Sequence, residues 1–147
     1  MDNLESNAVR VEGDLDESLR TENVGPVLLQ IEQALQDLQE TGSETVIDLG
    51  AIPFSAQDEQ DLRERLGRGE VNSTVEAFGP TLVQETAFAG VWLVEYQDAE
   101  QRRLTLHLQI VRIPELLITP ADDLADSLAS LRRVNRDFSA APSEDVQ

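Results

Sequence analysis

Carboxylates dominate the chemistry that this sequence could perform. The chain has 147 residues, of which 29 are Asp or Glu and 11 are basic, and every basic residue is an arginine. Pairs such as Glu76 with Glu85, or Glu85 with Glu95, are of the type that serves as general acid and general base. In a chain this rich in acids, such pairs arise without a catalytic purpose. Their spacing therefore does not favour an enzyme.

Cysteine and histidine, which often serve as nucleophiles, bases and metal ligands, are nearly absent. The sequence contains no cysteine and one histidine, His107. The lack of cysteine excludes disulfides, thiol nucleophiles, iron–sulfur ligation and thiolate zinc sites. His107 falls on the polar face of a predicted strand, which favours a structural role. Asp122 and Asp123 could form a metal pair, but both are explained by the first turn of a helix. We predict no metal, no cofactor and no catalytic residue.

The net charge of the chain disfavours nucleic acids and anionic membranes as partners. The formal net charge is −18, which repels phosphate backbones and anionic membrane surfaces. Gly67-Arg68-Gly69 lacks the lysine of a phosphate-binding loop and reads as a helix end followed by a strand. No apolar run approaches the ~20 residues of a membrane span, and the N-terminus does not have the pattern of a secretory signal. We expect a cytoplasmic protein that binds neither nucleic acid nor membrane.

Three helices are indicated by apolar spacing and end signals. Apolar residues from Val27 to Leu38 recur at helical spacing, which predicts a helix over Pro26–Glu40 that stops at Gly42. Ser55 and Asp58 have capping-box spacing at the start of a second helix that ends before Gly67. A third runs from Pro120 to about Asp137, with Thr119 as its cap. Its inner stripe is predicted to be Leu124, Leu128 and Leu131.

Strand patterns fill the intervening segments. Thr45–Leu49 is short and β-branched. The other candidates, separated by glycines or a hairpin loop, are Glu70–Phe78, Thr81–Phe88, Val91–Gln97 and Arg103–Ile113. Short turns between consecutive strands predict an antiparallel meander. The fold class is therefore α+β, with a mainly antiparallel sheet and amphipathic helices packed on one face. We expect an acidic mobile tail over 1–23, one domain over 24–137 and a polar tail over 138–147.

Trp92 leaves two interpretations open. Alternation places Trp92, Val94 and Tyr96 on one face of a strand, with Val91 and Leu93 on the other. If helices cover the Trp92 face, Trp92 anchors the core. If they cover the other face, an aromatic stripe meets solvent and favours a binding partner.

Several short motifs occur in an order that resembles a known family. They are Leu66-Gly67, Gly69-Glu70-Val71, Glu76-Ala77-Phe78-Gly79, Glu85-Thr86, Phe88, Gly90-Val91-Trp92, Asp98 and Ile113-Pro114-Glu115-Leu116. In this order they resemble the C-terminal domain of HupH/HyaF-type hydrogenase expression/formation proteins. The resemblance covers roughly residues 45–131 and is densest over 66–96. Longer family members carry a substantial region before this domain.

The resemblance implies a non-catalytic accessory protein for nickel–iron hydrogenase maturation. It would act as a chaperone or assembly scaffold for the iron–sulfur small subunit precursor, with other maturation proteins as further partners. The acidity of the chain would suit a basic export signal on that precursor. The resemblance supplies no agreed functional residues, so we selected the partner-binding candidates from the surface that the predicted strands present: Arg68, Glu70, Glu85, Trp92 and Tyr96.

Two other classes of function stay open at this point. An acidic, sheet-lined pocket would make the chain a small-molecule-binding or enzymatic domain. An exposed sheet face could instead bury itself against a second copy, which would make the protein a homo-oligomer.

Overall fold

The structure, a computed structural model, describes residues 22–142. These residues belong to two compact units, of which the first ends at Pro114 and the second begins at Glu115. The predicted tail over 1–23 lies outside the described residues except for its last two. The end of the predicted tail over 138–147 also lies outside them, while Phe138–Ala140 continue the last helix.

The described part of the first unit, residues 22–114, contains two α-helices and five strands, with a short 3-10 helix (Leu49–Ala51) after the first strand. In chain order they are α1 (Val24–Thr41), β1 (Thr45–Asp48), α2 (Ala56–Leu66), β2 (Asn72–Glu76), β3 (Pro80–Glu85), β4 (Val91–Gln97) and β5 (Arg103–Ile110). The strands form one antiparallel sheet in the order β1-β5-β4-β3-β2. The predicted meander is thus confirmed for β2 to β5, and β1 joins the far edge beside β5. The fold is α+β, as predicted.

The helix α2 begins and ends where the sequence signals it, and α1 ends before Gly42 as predicted but begins at Val24, two residues before the predicted start at Pro26. The hydroxyl of Ser55 accepts a 3.1 Å hydrogen bond from the Asp58 backbone N–H, and the Asp58 carboxylate accepts one from the Ser55 N–H. This confirms the predicted capping box of α2. The backbone N–H of Gly42 donates to the carbonyl of Leu38 and closes the end of α1.

The main core lies between these helices and one face of the sheet. Val91 and Leu93 of β4 are buried there. They meet side chains from α1, α2, β1 and β5: Val27, Ile31, Ala34, Leu62, Leu66, Ile47, Leu106, Leu108 and Ile110. The helices α1 and α2 therefore cover the face of β4 that carries Val91 and Leu93. Trp92 points to the opposite face of the sheet.

The opposite face of β4 is nevertheless buried as well. Trp92 is only 6% exposed, and Val94 is fully buried. The register pairs Val94 with Val83 of β3, which is also fully buried. Trp92 is thus a buried side chain, as the first of the two interpretations expected, although α1 and α2 cover the other face of β4.

In the described part of the second unit, residues 115–142, a 3-10 turn (Glu115–Leu117) is followed by the long helix α3 (Ala121–Ala140). Its N-cap position is Pro120, without a side-chain cap, so the predicted capping role of Thr119 is wrong. The apolar stripe exists as predicted, but its side chains are exposed and not buried: Leu124 by 59%, Leu128 by 50% and Leu131 by 58%. Among the described helices, none is both long and apolar enough to cross a membrane.

Candidate functional site

Three of the five candidate residues lie together at one corner of the sheet. Arg68 and Glu70 belong to the segment that leaves α2, and Glu85 ends β3. The backbone N–H of Gly69 donates to the Glu85 carbonyl at 2.9 Å, and the Glu70 N–H donates to the Glu85 carboxylate at 2.9 Å. We call Arg68, Glu70 and Glu85 the charged corner. Its backbone is fixed, because Glu85 holds the segment 69–71 through both its main chain and its side chain.

Gly69 is required by this close approach. A Cβ atom at position 69 would lie 2.4 Å from the Thr86 carbonyl oxygen, a distance that a backbone contact cannot absorb. Beside the charged corner is a small cleft of about 280 Å³. Arg63 and Arg68 line it together with Gln84, Glu85 and Leu93.

The other two candidates lie elsewhere. Trp92 pairs with Glu85 across the β3–β4 ladder, but its indole is buried and donates a 3.1 Å hydrogen bond to the Val111 carbonyl. Its side chain is therefore not accessible to a partner. Tyr96 lies four residues further along β4, about 13 Å away, and its ring makes an edge contact with His107 at 5.0 Å. The structure does not gather all five residues into one site.

A polar cluster joins β1 to β5 near Tyr96. Thr105 donates a 2.6 Å hydrogen bond to the Asp48 carboxylate, and His107 Nε2 lies 3.6 Å from it. The Thr105 hydroxyl, the Gly50 N–H and His107 lower the pKa of Asp48 against the opposing effect of desolvation. These contacts hold the two strands together.

A second charge cluster connects α2 to the sheet. Arg103 of β5 binds Glu59 of α2 and donates a 3.0 Å hydrogen bond to Glu95 of β4. The bond from Arg103 is the main cause of a lowered pKa at Glu59, assisted by Arg63. Burial raises the pKa of Glu95, but hydrogen bonds from Gln97 and Arg103 outweigh it, so the pKa lies below its usual value. The hydrogen bonds and charges of Glu59 and Glu95 in turn raise the pKa of Arg103.

An open apolar groove of about 1020 Å³ lies along α1. A neighbouring depression of about 630 Å³ shares Leu35 with it. We call this continuous surface the α1 groove, and the apolar residues that line it are Leu28, Leu29, Ile31, Leu35, Leu38, Leu66, Phe88, Ala89 and Gly90. Leu29 is 66% exposed and Phe88 is 51% exposed. Glu32 and Glu40 also line the groove and are exposed.

The turn between β3 and β4 connects the α1 groove to the charged corner. Phe88 lies in this turn, three residues after Glu85, and Leu66 of the groove lining is followed closely by Arg68. The Ala87 N–H donates to the Leu66 carbonyl at 2.9 Å and ties the turn to the end of α2. An apolar surface and a charged one are thus adjacent, which is the arrangement of many protein-binding sites.

Sequence reasoning did not select Leu28, Leu29 or Phe88 as binding residues. Leu28 and Leu29 follow Val27 directly and extend the apolar surface of α1 beyond its core stripe, which is the signal that could have indicated a second apolar face. Phe88 was predicted as the last residue of the strand Thr81–Phe88 and as one of the motif residues, whereas the strand ends at Glu85 and Phe88 lies in the turn that follows. Within residues 22–142, no group of three His, Cys, Asp or Glu side chains could hold a metal ion.

Comparison with known proteins gives a family match over most of the chain. Residues 21–137 match the model described as "HupH hydrogenase expression protein, C-terminal conserved region". The chain is 34% identical over 114 residues to the hydrogenase expression/formation protein HupQ of Azotobacter chroococcum, and 30% identical over 112 residues to HupH of Rhizobium leguminosarum bv. viciae. In both comparisons the match covers 76% of this chain and 40% of the relative. The chain thus spans about 40% of the length of these curated relatives.

A solved structure has the same fold. The hydrogenase expression protein HupH from Thiobacillus denitrificans superposes with a TM-score of 0.76 at 37% sequence identity. The match covers 80% of this chain and 98% of that one. The α+β arrangement of strands and helices is therefore shared with an experimentally determined relative.

Proposed function

The chain belongs to the HupH hydrogenase expression protein family, through its conserved C-terminal region, and from this premise we propose that it is a non-enzymatic accessory protein of nickel–iron hydrogenase maturation. Its partner is the hydrogenase small subunit precursor, which it holds in the cytoplasm before assembly. The family match over residues 21–137 is the observation that carries this proposal.

The partner-binding surface that we propose combines the α1 groove with the charged corner. Leu29 and Phe88 provide exposed apolar area, and each apolar side chain that becomes fully buried stabilises a complex by about 1.5–3 kcal/mol. Arg68, Glu70 and Glu85 provide a polar border, which contributes to specificity more than to affinity. Tyr96 lies on a different part of the sheet and is proposed only as a secondary contact.

The acidity of the groove suggests which segment of the precursor approaches it. Glu32 and Glu40 line the groove against one arginine, Arg112, and α1 itself contains no basic residue. The net charge of −18 attracts basic segments and accelerates their association. We propose that the basic export signal of the precursor contributes to binding. If the precursor binds equally well with and without its signal, this part of the proposal is wrong.

The geometry gives less support to a small-molecule site. A ligand-binding pocket encloses most of its ligand and directs a few polar groups at it. The α1 groove is open along its length, and its carboxylates are exposed. This arrangement suits a protein segment better than an enclosed substrate.

A pull-down from cells that express the hydrogenase operon tests the proposal. The tagged chain is expected to recover the small subunit precursor, identified by mass spectrometry. Phe88→Asp should reduce recovery, whereas Phe78→Asp should not. Phe78 is a matched control because it is 98% exposed and lies in the β2–β3 turn, at the other end of β3. If the folded protein recovers no hydrogenase component, the proposed function is wrong.

A further inference from the structure

The helix α3 has an extended, exposed apolar face. Five side chains lie on it, and each is at least half exposed: Leu124, Leu128, Leu131, Val134 and Phe138. They extend over about 21 Å of helix. A stripe of this length on a soluble helix generally marks an interface.

The spacing of this stripe is symmetric. Steps of four, three, three and four residues separate its members, so Leu131 is its midpoint. In an antiparallel pair of identical helices with Leu131 at the centre, Leu124 lies opposite Phe138 of the other copy. Leu128 then lies opposite Val134. A two-fold interface requires this kind of self-complementarity, because the same surface must meet itself.

The charges of α3 favour the antiparallel orientation. Residues 121–130 contain three aspartates and no basic residue, whereas residues 131–140 contain three arginines and one aspartate. Antiparallel pairing places the acidic half of each helix beside the basic half of the other, and it also aligns the two helix dipoles favourably. Parallel pairing would place like charges together.

The overall acidity of the chain does not prevent this contact. A net charge of −18 on each copy opposes association in general. At physiological ionic strength, however, exposed charges are screened beyond about 8 Å. The electrostatic contribution to pairing is then determined by the charges on α3 itself. The positive second half of one helix attracts the acidic first half of the other.

From these observations we propose that the chain forms a two-fold symmetric homodimer through antiparallel pairing of α3, with Leu131 of the two copies in contact at the axis. The inference is independent of the proposed function. It goes beyond that function, because a dimer would present two α1 grooves to its partners.

Sedimentation equilibrium of the full chain is the first test. The wild type is expected to approach twice its 16.3-kDa mass with rising concentration. Leu131→Asp should remain at the monomer mass, because a carboxylate would be buried beside its own copy. Ala129 is exposed and lies on the side of α3 opposite the stripe, so Ala129→Asp adds the same charge there and should still dimerise. A monomeric wild type, or a Leu131→Asp variant that dimerises as well as the wild type, would overturn the proposal.

Cross-linking tests the orientation. Because the chain has no cysteine, a single introduced thiol can react only with another copy. Leu131→Cys should form a disulfide-linked dimer. Leu124→Cys and Phe138→Cys should each cross-link poorly alone and efficiently when mixed. Efficient self-cross-linking of Leu124→Cys alone would indicate a parallel pair and overturn the proposed geometry.

Discussion

The indole N–H of Trp92 donates a 3.1 Å hydrogen bond to the carbonyl oxygen of Val111. This bond joins the start of β4 to the residue that follows β5. The Val111 N–H donates in turn to the Gly90 carbonyl at 2.9 Å. The end of the β4–β5 ladder is therefore held by two hydrogen bonds: one from the Trp92 side chain to the Val111 carbonyl and one from the Val111 backbone N–H to the Gly90 carbonyl. A residue that the sequence marks as a binding candidate is instead part of the framework that holds the β3–β4 turn.

Replacing Trp92 should lower stability strongly. Trp92→Ala is expected to reduce the free energy of unfolding by about 3–5 kcal/mol, because it leaves a large cavity. Trp92→Phe keeps most of the apolar volume but leaves the Val111 carbonyl without this donor, so a loss of about 1–3 kcal/mol is expected. Urea denaturation measures both values. A change within about 0.5 kcal/mol for Trp92→Ala, the range of ordinary surface substitutions, would contradict the structural role.

Gly90 should be sensitive to substitution for a different reason. Its φ angle is +88°, and an added Cβ would lie 3.5 Å from Leu35 and 3.6 Å from Leu38, which are ordinary contact distances. The cost of Gly90→Ala therefore arises from the backbone and should be about 1–2 kcal/mol. Gly25→Ala is the matched control, because no atom lies within 4 Å of its added Cβ. Gly25 lies in the first turn of α1 directly before Pro26, where the clash of an added Cβ with the proline ring offsets the helix propensity of alanine, so this substitution should change stability by less than about 1 kcal/mol. Equal effects of the two substitutions in thermal denaturation would refute this explanation.

The Arg103 cluster should make stability depend on acid pH. Glu59 and Glu95 have lowered pKa values in the folded state, so their contribution is present above the usual carboxyl pKa of about 4.5 and is lost as the pH falls through their folded values. Arg103→Ala should cost about 1 kcal/mol at neutral pH, since Arg103 is partly exposed and its ion pairs are screened. The variant should also lose less stability than the wild type on acidification.

Urea denaturation of both proteins between about pH 6 and pH 3 checks this expectation across the range where carboxyl groups titrate. Arg102→Ala is the control. Arg102 pairs with Asp98, but its side chain is 73% exposed, so its removal should change stability by less than about 0.5 kcal/mol. Parallel pH profiles for the wild type and Arg103→Ala would mean that the cluster does not contribute to acid sensitivity.

Much of the fold follows from local signals. The Ser55–Asp58 spacing determined the start of α2, and Val91–Gln97 was predicted with its observed ends because glycine and a polar loop border it. The side of the sheet that helices cover could not be predicted. In β4 the four residues Val91, Trp92, Leu93 and Val94 are all buried. A strand that is buried on both faces lacks the alternation of apolar and polar residues that would indicate which face the helices cover.

The candidate site was predictable only in part. Arg68, Glu70 and Glu85 are close in space because the segment 69–71 pairs with Glu85, and a short motif in the sequence marked this region. The exposed apolar stripe of α3 shows what residue spacing cannot predict. Its spacing correctly predicted an amphipathic helix, but spacing alone does not say whether an apolar face meets its own domain or another molecule.

Phe88 should be an energetic centre of partner binding. It is half exposed in the turn between the α1 groove and the charged corner, and large aromatic side chains in such positions often dominate interface energy. Phe88→Asp is expected to weaken binding to the purified small subunit precursor at least tenfold, because it places a charge against an apolar contact. Phe78→Asp should leave the affinity unchanged.

Isothermal titration calorimetry gives the affinities, and urea denaturation gives the stability of each variant. The interpretation requires that both variants keep the wild-type free energy of unfolding within about 0.5 kcal/mol, the range of ordinary surface substitutions. Under that condition, equal affinities for Phe88→Asp and the wild type would exclude the β3–β4 turn from the interface. Equal weakening by both substitutions would indicate that added negative charge, and not the α1 groove, determines binding.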